Sequence, residues 1–91
     1  MKPVFDNSSL IDFLTTQEPA GTYDYYDGDV CLVAKYLHYR GFNLASVDTQ
    51  FAYLPSTLGA PRILPAAWDD IARETPWTFG AALERARKVL K

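Results

Sequence analysis

The sequence predicts a small, mostly α domain: four helices of unequal length arranged around a central one. Three observations lead there. Its 91 residues leave room for one hydrophobic core and no second lobe, so residues 1–91 are read as a single globular domain. Cap and stop signals bracket the stretches of helical apolar spacing. One of those stretches, residues 30–40, is apolar on two sides and therefore needs neighbours on both.

The first helix is expected over Ser9–Gln17. Asn7, Ser8 and Ser9 are short polar residues suited to capping free backbone N–H groups, and Ser9 with Asp12 has capping-box spacing. Leu10, Phe13 and Leu14 fall at i, i+3, i+4, Ile11 widens the stripe, and Glu18-Pro19-Ala20-Gly21 stops it. Thr22 to Asp29 reads Thr-Tyr-Asp-Tyr-Tyr-Asp-Gly-Asp. Its tyrosines favour a strand and its Asp-Gly pair a turn, so it is either a short strand or an ordered loop.

Asp29 is then the expected N-cap of the central helix, Val30–Arg40. Gly41 ends it, with Phe42 placed for the hydrophobic contact of a Schellman motif. Val30, Val33, Ala34 and Leu37 form one apolar face, and Leu32, Tyr36 and Tyr39 a second nearly opposite. Lys35 and Arg40 occupy the polar gaps between them.

Asp48 is expected to cap a short helix through Phe51, Ala52, Tyr53 and Leu54 that ends near Pro55. Ser56 to Pro65 reads as an ordered loop anchored by Leu58, Ile63 and Leu64. Pro65 introduces a short helix, Ala66–Arg73, displaying Trp68 and Ile71. Thr75-Pro76 signals the start of the last helix, which runs to about Leu90 with Phe79, Leu83, Ala86 and Leu90 on one stripe. An α+β arrangement, in which Thr22–Tyr26 pairs with part of Phe42–Val47 in a small two-stranded sheet, is the alternative.

Charge bears on function. The formal net charge is −2, which supplies no basic field for phosphate backbones, so direct nucleic-acid binding is not expected. Residues 1–34 carry Asp6, Asp12, Glu18, Asp24, Asp27 and Asp29 against Lys2, whereas bases outnumber acids over residues 35–91. A single cysteine, Cys31, cannot form an internal disulfide, and with one histidine it cannot complete a zinc site, so no metal or cofactor is expected. Its solitary thiol suits a reducing, cytoplasmic setting. Met-Lys-Pro-Val-Phe-Asp lacks the apolar run of a signal peptide, and no membrane span is expected.

Three groupings invite a chemical reading. Cys31 and His38 resemble a thiol and its base, but seven residues on one helix separate them by roughly 10 Å of axial rise. Without contact they make no catalytic pair, and no catalytic residue is assigned. Asp69, Asp70, Arg73 and Glu74 fit a solvated face on which Asp69 with Arg73 is an ordinary i,i+4 ion pair. Asp27-Gly28 resembles a calcium-loop turn, yet that register puts Tyr23 and Tyr25 at ligand positions and Ala34 where the bidentate Glu belongs. Trp68 and Trp77 are read as core, since so short a chain needs large side chains to bury.

The remaining anomaly is Tyr23, Asp24, Tyr25, Tyr26, Asp27 and Asp29. Rigid amphipathic rings interleaved with carboxylates make a surface suited to a partner's Arg and Lys side chains, and these six are the candidate partner-binding residues.

The run Asp29-Val30-Cys31-Leu32-Val33-Ala34, then Trp68-Asp69-Asp70, then Thr75 through Leu83-Glu84-Arg85-Ala86 resembles a small phage and bacterial family of unknown function over residues 29–90. Members of that family carry a Cys-Leu/Ala-x-x-Ala helix, a Trp-Asn-Asp turn and a final helix ending in Leu-x-x-Ala. The resemblance implies a helical domain of phage or mobile-element origin and supplies no catalytic residues. The expected function is a non-enzymatic protein-interaction module. In this reading it is a phage or mobile-element antagonist that binds a host nucleic-acid-handling protein, such as CRISPR machinery, through the acidic tyrosine-rich face. The competing classes are a small enzyme dependent on Cys31 or His38 and a self-assembling component that forms homo-oligomers.

Overall fold

A computed structural model describes residues 4–28, 30–42, 45–48, 50–54 and 62–90. In chain order the elements are α1 (Asn7–Thr16), α2 (Leu32–Tyr39), β1 (Ser46–Val47), β2 (Phe51–Tyr53), β3 (Arg62–Ile63), α3 (Ala66–Arg73) and α4 (Phe79–Val89). The fold is thus mostly helical, four helices with a small antiparallel sheet in the order β1-β2-β3.

Helix α1 buries Leu10, Phe13 and Leu14 as its spacing requires. Its cap is Asp6 and not the Asn7-Ser8-Ser9 group, because the Asp6 carboxylate accepts from the Ser9 backbone N–H at 2.9 Å and from the Ser9 hydroxyl at 2.6 Å. The helix therefore begins at Asn7, two residues earlier than its sequence signal suggests. It packs on α4, with the Phe13 and Phe79 rings edge to face at 6.0 Å.

Helix α2 is the central one. Leu32, Val33, Ala34, Tyr36 and Leu37 are all buried, and α1, α3 and β1 each contact it. Its ends differ from expectation at one terminus only. The C-terminus is a Schellman motif: Gly41 N–H donates to the His38 carbonyl at 3.0 Å and Phe42 N–H to the Leu37 carbonyl at 2.9 Å, with Gly41 at φ 100°. At the N-terminus the helix starts at Leu32, not Val30, and Cys31 is its cap, the sulfur accepting from Ala34 N–H at 3.4 Å. Val30 is drawn into the preceding turns, donating to the Asp27 carbonyl at 3.2 Å, and is 41 % exposed. Asp29, the expected cap, lies outside the described residues.

The Asp48 region is corrected from helix to hairpin. Ser46 pairs with Tyr53 and Val47 with Ala52, and Phe51 and Ala52 pair in turn with Ile63 and Arg62. Asp48 does cap backbone N–H groups, those of Gln50 at 2.8 Å and Phe51 at 2.6 Å, but within a turn that returns the chain antiparallel. Phe-Ala-Tyr then follows its β-propensity. The sheet is therefore not the Thr22–Tyr26 pairing considered above, and Thr22 instead forms an isolated bridge with Thr78. Of the loop read over 56–65, residues 56–61 lie outside the described residues, Ile63 is exposed and Leu64 is buried.

Helix α3 matches its sequence bounds, with Pro65 at the cap position. Helix α4 begins at Phe79 behind the Thr78 cap, whose hydroxyl accepts from Ala81 N–H at 3.3 Å. Thr75-Pro76 is not its start, because the next residues pair with the segment around Tyr23. Tyr23 N–H donates to the Trp77 carbonyl at 3.2 Å and Phe79 N–H to the Gly21 carbonyl at 3.0 Å. Phe79, Ala82 and Ala86 are the buried positions of α4, with Leu83 and Leu90 packed at the core margin.

One cluster of buried side chains joins all four helices and the sheet. Trp68 lies within it, edge to face with Tyr36 at 5.0 Å and Phe5 at 5.3 Å, and its indole N–H donates to Asn7 Oδ1 at 2.8 Å. The Tyr36 hydroxyl donates to the Val4 carbonyl at 2.7 Å and accepts from Arg40 at 2.6 Å, which ties the N-terminal segment to α2.

Candidate functional site

The Tyr/Asp segment divides its rings between inside and outside. Tyr23 is 5 % exposed and belongs to the core, not to a binding surface. Its hydroxyl donates to the Ala72 carbonyl at 2.8 Å and accepts from Arg85 Nη2 at 3.0 Å. Arg85 also donates to the Ile71 carbonyl through Nε at 3.0 Å and Nη2 at 2.8 Å. Tyr23 and Arg85 thus satisfy carbonyls that the end of α3 leaves without helical partners. Burial is the first cause that holds the Tyr23 hydroxyl above its ordinary pKa, against the opposing pull of Arg85.

Tyr25 is intermediate. Its hydroxyl donates to Asp69 Oδ1 at 2.7 Å, and burial followed by that hydrogen bond pushes its pKa up to about 12. Tyr26 is 83 % exposed. Asp24 and Asp27 are exposed on the same turn, with Asp24 Oδ1 accepting from Tyr26 N–H at 3.0 Å. Asp29 again lies outside the described residues.

Trp77 joins this face, although its sequence context suggests core. It is only partly buried, and its ring meets Tyr25 at 5.8 Å, Tyr26 at 5.3 Å and Tyr23 at 6.4 Å. Nothing in the local sequence places Trp77 beside residues 23–26. The bridge between Thr22 and Thr78 does so. Trp68, by contrast, is the core residue its sequence reading describes.

Beneath the aromatic rim lies a cleft of about 360 Å³. Cys31, Val33, Val47, Leu64 and Ala72, all buried, form its floor, and Tyr25, Tyr26, Asp48 and Asp69 its more exposed margin. Gly28 also lines it because the backbone passes close to β1 there: Val47 N–H donates to the Gly28 carbonyl at 2.9 Å, and a Cβ on Gly28 would sit 2.7 Å from the Val47 carbonyl oxygen. Asp48 joins the margin through the hairpin turn, and Asp69 through the first turn of α3. Neither was among the sequence candidates for binding, because only the fold brings residues 25, 48 and 69 together. Backbone hydrogen bonds hold the Asp48 carboxyl below its ordinary pKa, with the Tyr53 hydroxyl at 2.9 Å assisting.

Cys31 and His38 are spent on separate partners, Cys31 on Ala34 N–H and His38 Nε2 on the Ala45 carbonyl at 3.0 Å. Burial raises the thiol pKa, the opposite of what a nucleophilic cysteine requires. Asp69 pairs with Arg73 at 3.6 Å, as its spacing suggests, and Asp70 does so at 2.6 Å. Among the described residues, no group of three or more His, Cys, Asp or Glu side chains is placed to hold a metal ion, and no helix is long and apolar enough to cross a membrane.

Comparison of the chain with protein-family models, with curated proteins and with solved structures finds no match. The likeness of residues 29–90 to a phage and bacterial family therefore rests on the quoted motifs alone.

Proposed function

We propose that this chain is a non-enzymatic interaction module whose Tyr25–Tyr26–Trp77 face docks, in the cytoplasm of a host cell, on a basic protein surface. Nucleic-acid-handling proteins, CRISPR effectors among them, hold phosphates with such surfaces, and occupying one would make the module an antagonist. The observation that carries the reading is Tyr26, a large ring 83 % exposed, braced edge to face by Tyr25 at 5.5 Å and Trp77 at 5.3 Å. A ring held in place by its neighbours loses little freedom on binding, which is the property of an interface anchor. Asp24 and Asp27 are exposed on the turn that carries it, and Asp69, bonded to the Tyr25 hydroxyl and facing Arg73 at 3.6 Å, lines the same cleft. Such a field favours a cationic partner and repels nucleic acid.

The test is affinity capture from nuclease-treated bacterial lysate by the wild type and by Tyr26→Ala, a substitution outside the core. A protein retained by the wild type and released by the variant, with binding weakened about thirtyfold as expected for an anchor residue, supports the reading. Equal capture by both, or capture by neither, counts against it.

A further inference from the structure

We propose that the cleft under the aromatic face is a receptacle for one arginine side chain of the basic partner, held between Asp69 and Asp48 and stacked on Tyr25 and Tyr26. This rests on the reading of that face as a docking surface and adds what the surface recognises.

The argument starts from shape. At about 360 Å³ the cleft is at the small end of ligand sites, sized for a side chain rather than a cofactor. Its floor of Cys31, Val33, Val47, Leu64 and Ala72 presents aliphatic and thiol surface suited to a methylene stem. Its margin is different in kind, with two carboxylates and two phenol rings. An apolar knob would strip water from those carboxylates and return no hydrogen bond, and an anion would be repelled by them. A cation on a flexible apolar stem satisfies both zones at once.

The acceptors have capacity left. Each carboxylate oxygen accepts about two hydrogen bonds. Among the described residues, Asp69 Oδ1 receives the Tyr25 hydroxyl at 2.7 Å, and Arg73 approaches Oδ2 at 3.6 Å. Asp48 Oδ1 is filled by the Gln50 and Phe51 N–H groups, and Oδ2, which receives the Tyr53 hydroxyl, has room for one more donor. Arginine fits better than lysine, since its planar guanidinium stacks on tyrosine faces and donates in a fork matched to a carboxylate, whereas an ammonium acts as a point charge. The cleft also continues past Leu64 and Asp69 into a shallower depression of about 340 Å³ along Phe51 and Ile63, which leaves a path for the peptide chain that carries the arginine.

The experiment titrates the ¹⁵N-labelled full chain with a capped Gly-Arg-Gly peptide and with its citrulline counterpart, which keeps the shape and lacks the charge. The arginine peptide is expected to shift the amides of Gly28, Val33, Val47 and Ala72, and the citrulline peptide to leave them unmoved. Asp69→Asn retains an acceptor for the Tyr25 hydroxyl but removes the charge, and should weaken the arginine peptide about tenfold, with an unperturbed amide spectrum elsewhere confirming the fold. Equal binding of citrulline, shifts centred away from the cleft, or indifference to Asp69→Asn would each overturn the receptacle. The two proposals fail separately. Partner capture lost in Tyr26→Ala but intact in Asp69→Asn sinks the receptacle alone, and capture indifferent to Tyr26→Ala sinks the docking face whatever the peptides do.

Discussion

Replacing Asp6 by alanine removes a cap and strands a buried hydroxyl in one step. The carboxylate accepts from the Ser9 N–H at 2.9 Å and from the Ser9 hydroxyl at 2.6 Å, and Ser9 is 5 % exposed. Loss of an N-cap costs about 1 kcal/mol. Leaving the Ser9 hydroxyl without this acceptor costs about 1 kcal/mol more, at the low end for a buried polar group because a serine hydroxyl can turn back to a helix carbonyl. The total of about 2 kcal/mol corresponds to a fall of roughly 10 °C in Tm for a domain of this size. Asp6→Asn keeps an oxygen acceptor and should stay within about 0.5 kcal/mol of the wild type. Thermal unfolding followed by circular dichroism measures all three proteins, and a cycle with Ser9→Ala isolates the hydroxyl component, expected near 1 kcal/mol. An Asp6→Ala protein within about 0.5 kcal/mol of wild type would refute the capping argument. An Asp6→Ala cost that is undiminished in the Ser9→Ala background would refute the part assigned to Ser9.

Three further outcomes follow from the site. Tyr25, with its pKa pushed up to about 12 by burial and by Asp69, stays neutral in the folded chain where an unfolded tyrosine ionises. Its contribution to stability is therefore complete below about pH 10 and lost as the pH climbs toward 12; unfolding midpoints across that range should fall less steeply in Tyr25→Phe. Cys31, buried with a raised thiol pKa, should react with iodoacetamide far more slowly in the native protein than in denaturant, and equal rates in the two states would contradict its burial. Gly28→Ala brings a Cβ within 2.7 Å of the Val47 carbonyl oxygen and should cost about 1–3 kcal/mol while shifting the amides that line the cleft; a variant with wild-type Tm and spectrum would show that the Gly28 turn and β1 do not approach so closely.

The helices were legible because their signals are local. Leu10, Phe13 and Leu14, the Pro65 start and the Gly41-Phe42 stop each act within a turn or two of themselves, and each stands where its spacing suggests. The misreadings share one cause. Asp6 outcompetes Asn7, Ser8 and Ser9 as a cap, Asp48 turns a hairpin instead of opening a helix, and Thr78 rather than Thr75 starts α4. In each case a capping residue type stands in the right region, and which of several such residues caps, or whether the capped segment becomes helix or turn, is decided by what the segment packs or pairs with. The candidate site divides in the same way. Exposed Tyr26 and its flanking carboxylates were visible as an anomaly of composition, whereas the burial of Tyr23 and the recruitment of Trp77, Asp48 and Asp69 were not.

By itself, then, the sequence determined the helical class, the place of a central helix read over residues 30–40 and the acidic, tyrosine-rich character of one segment, because caps, periodicity and charge are properties of neighbouring residues. Tertiary structure decided which of those tyrosines faces water and what surrounds it. The bridge from Thr22 to Thr78, the Gly28 contact with Val47 and the Tyr25 hydrogen bond to Asp69 join residues far apart in the chain. Such pairings form only when the core closes, and no local preference encodes them.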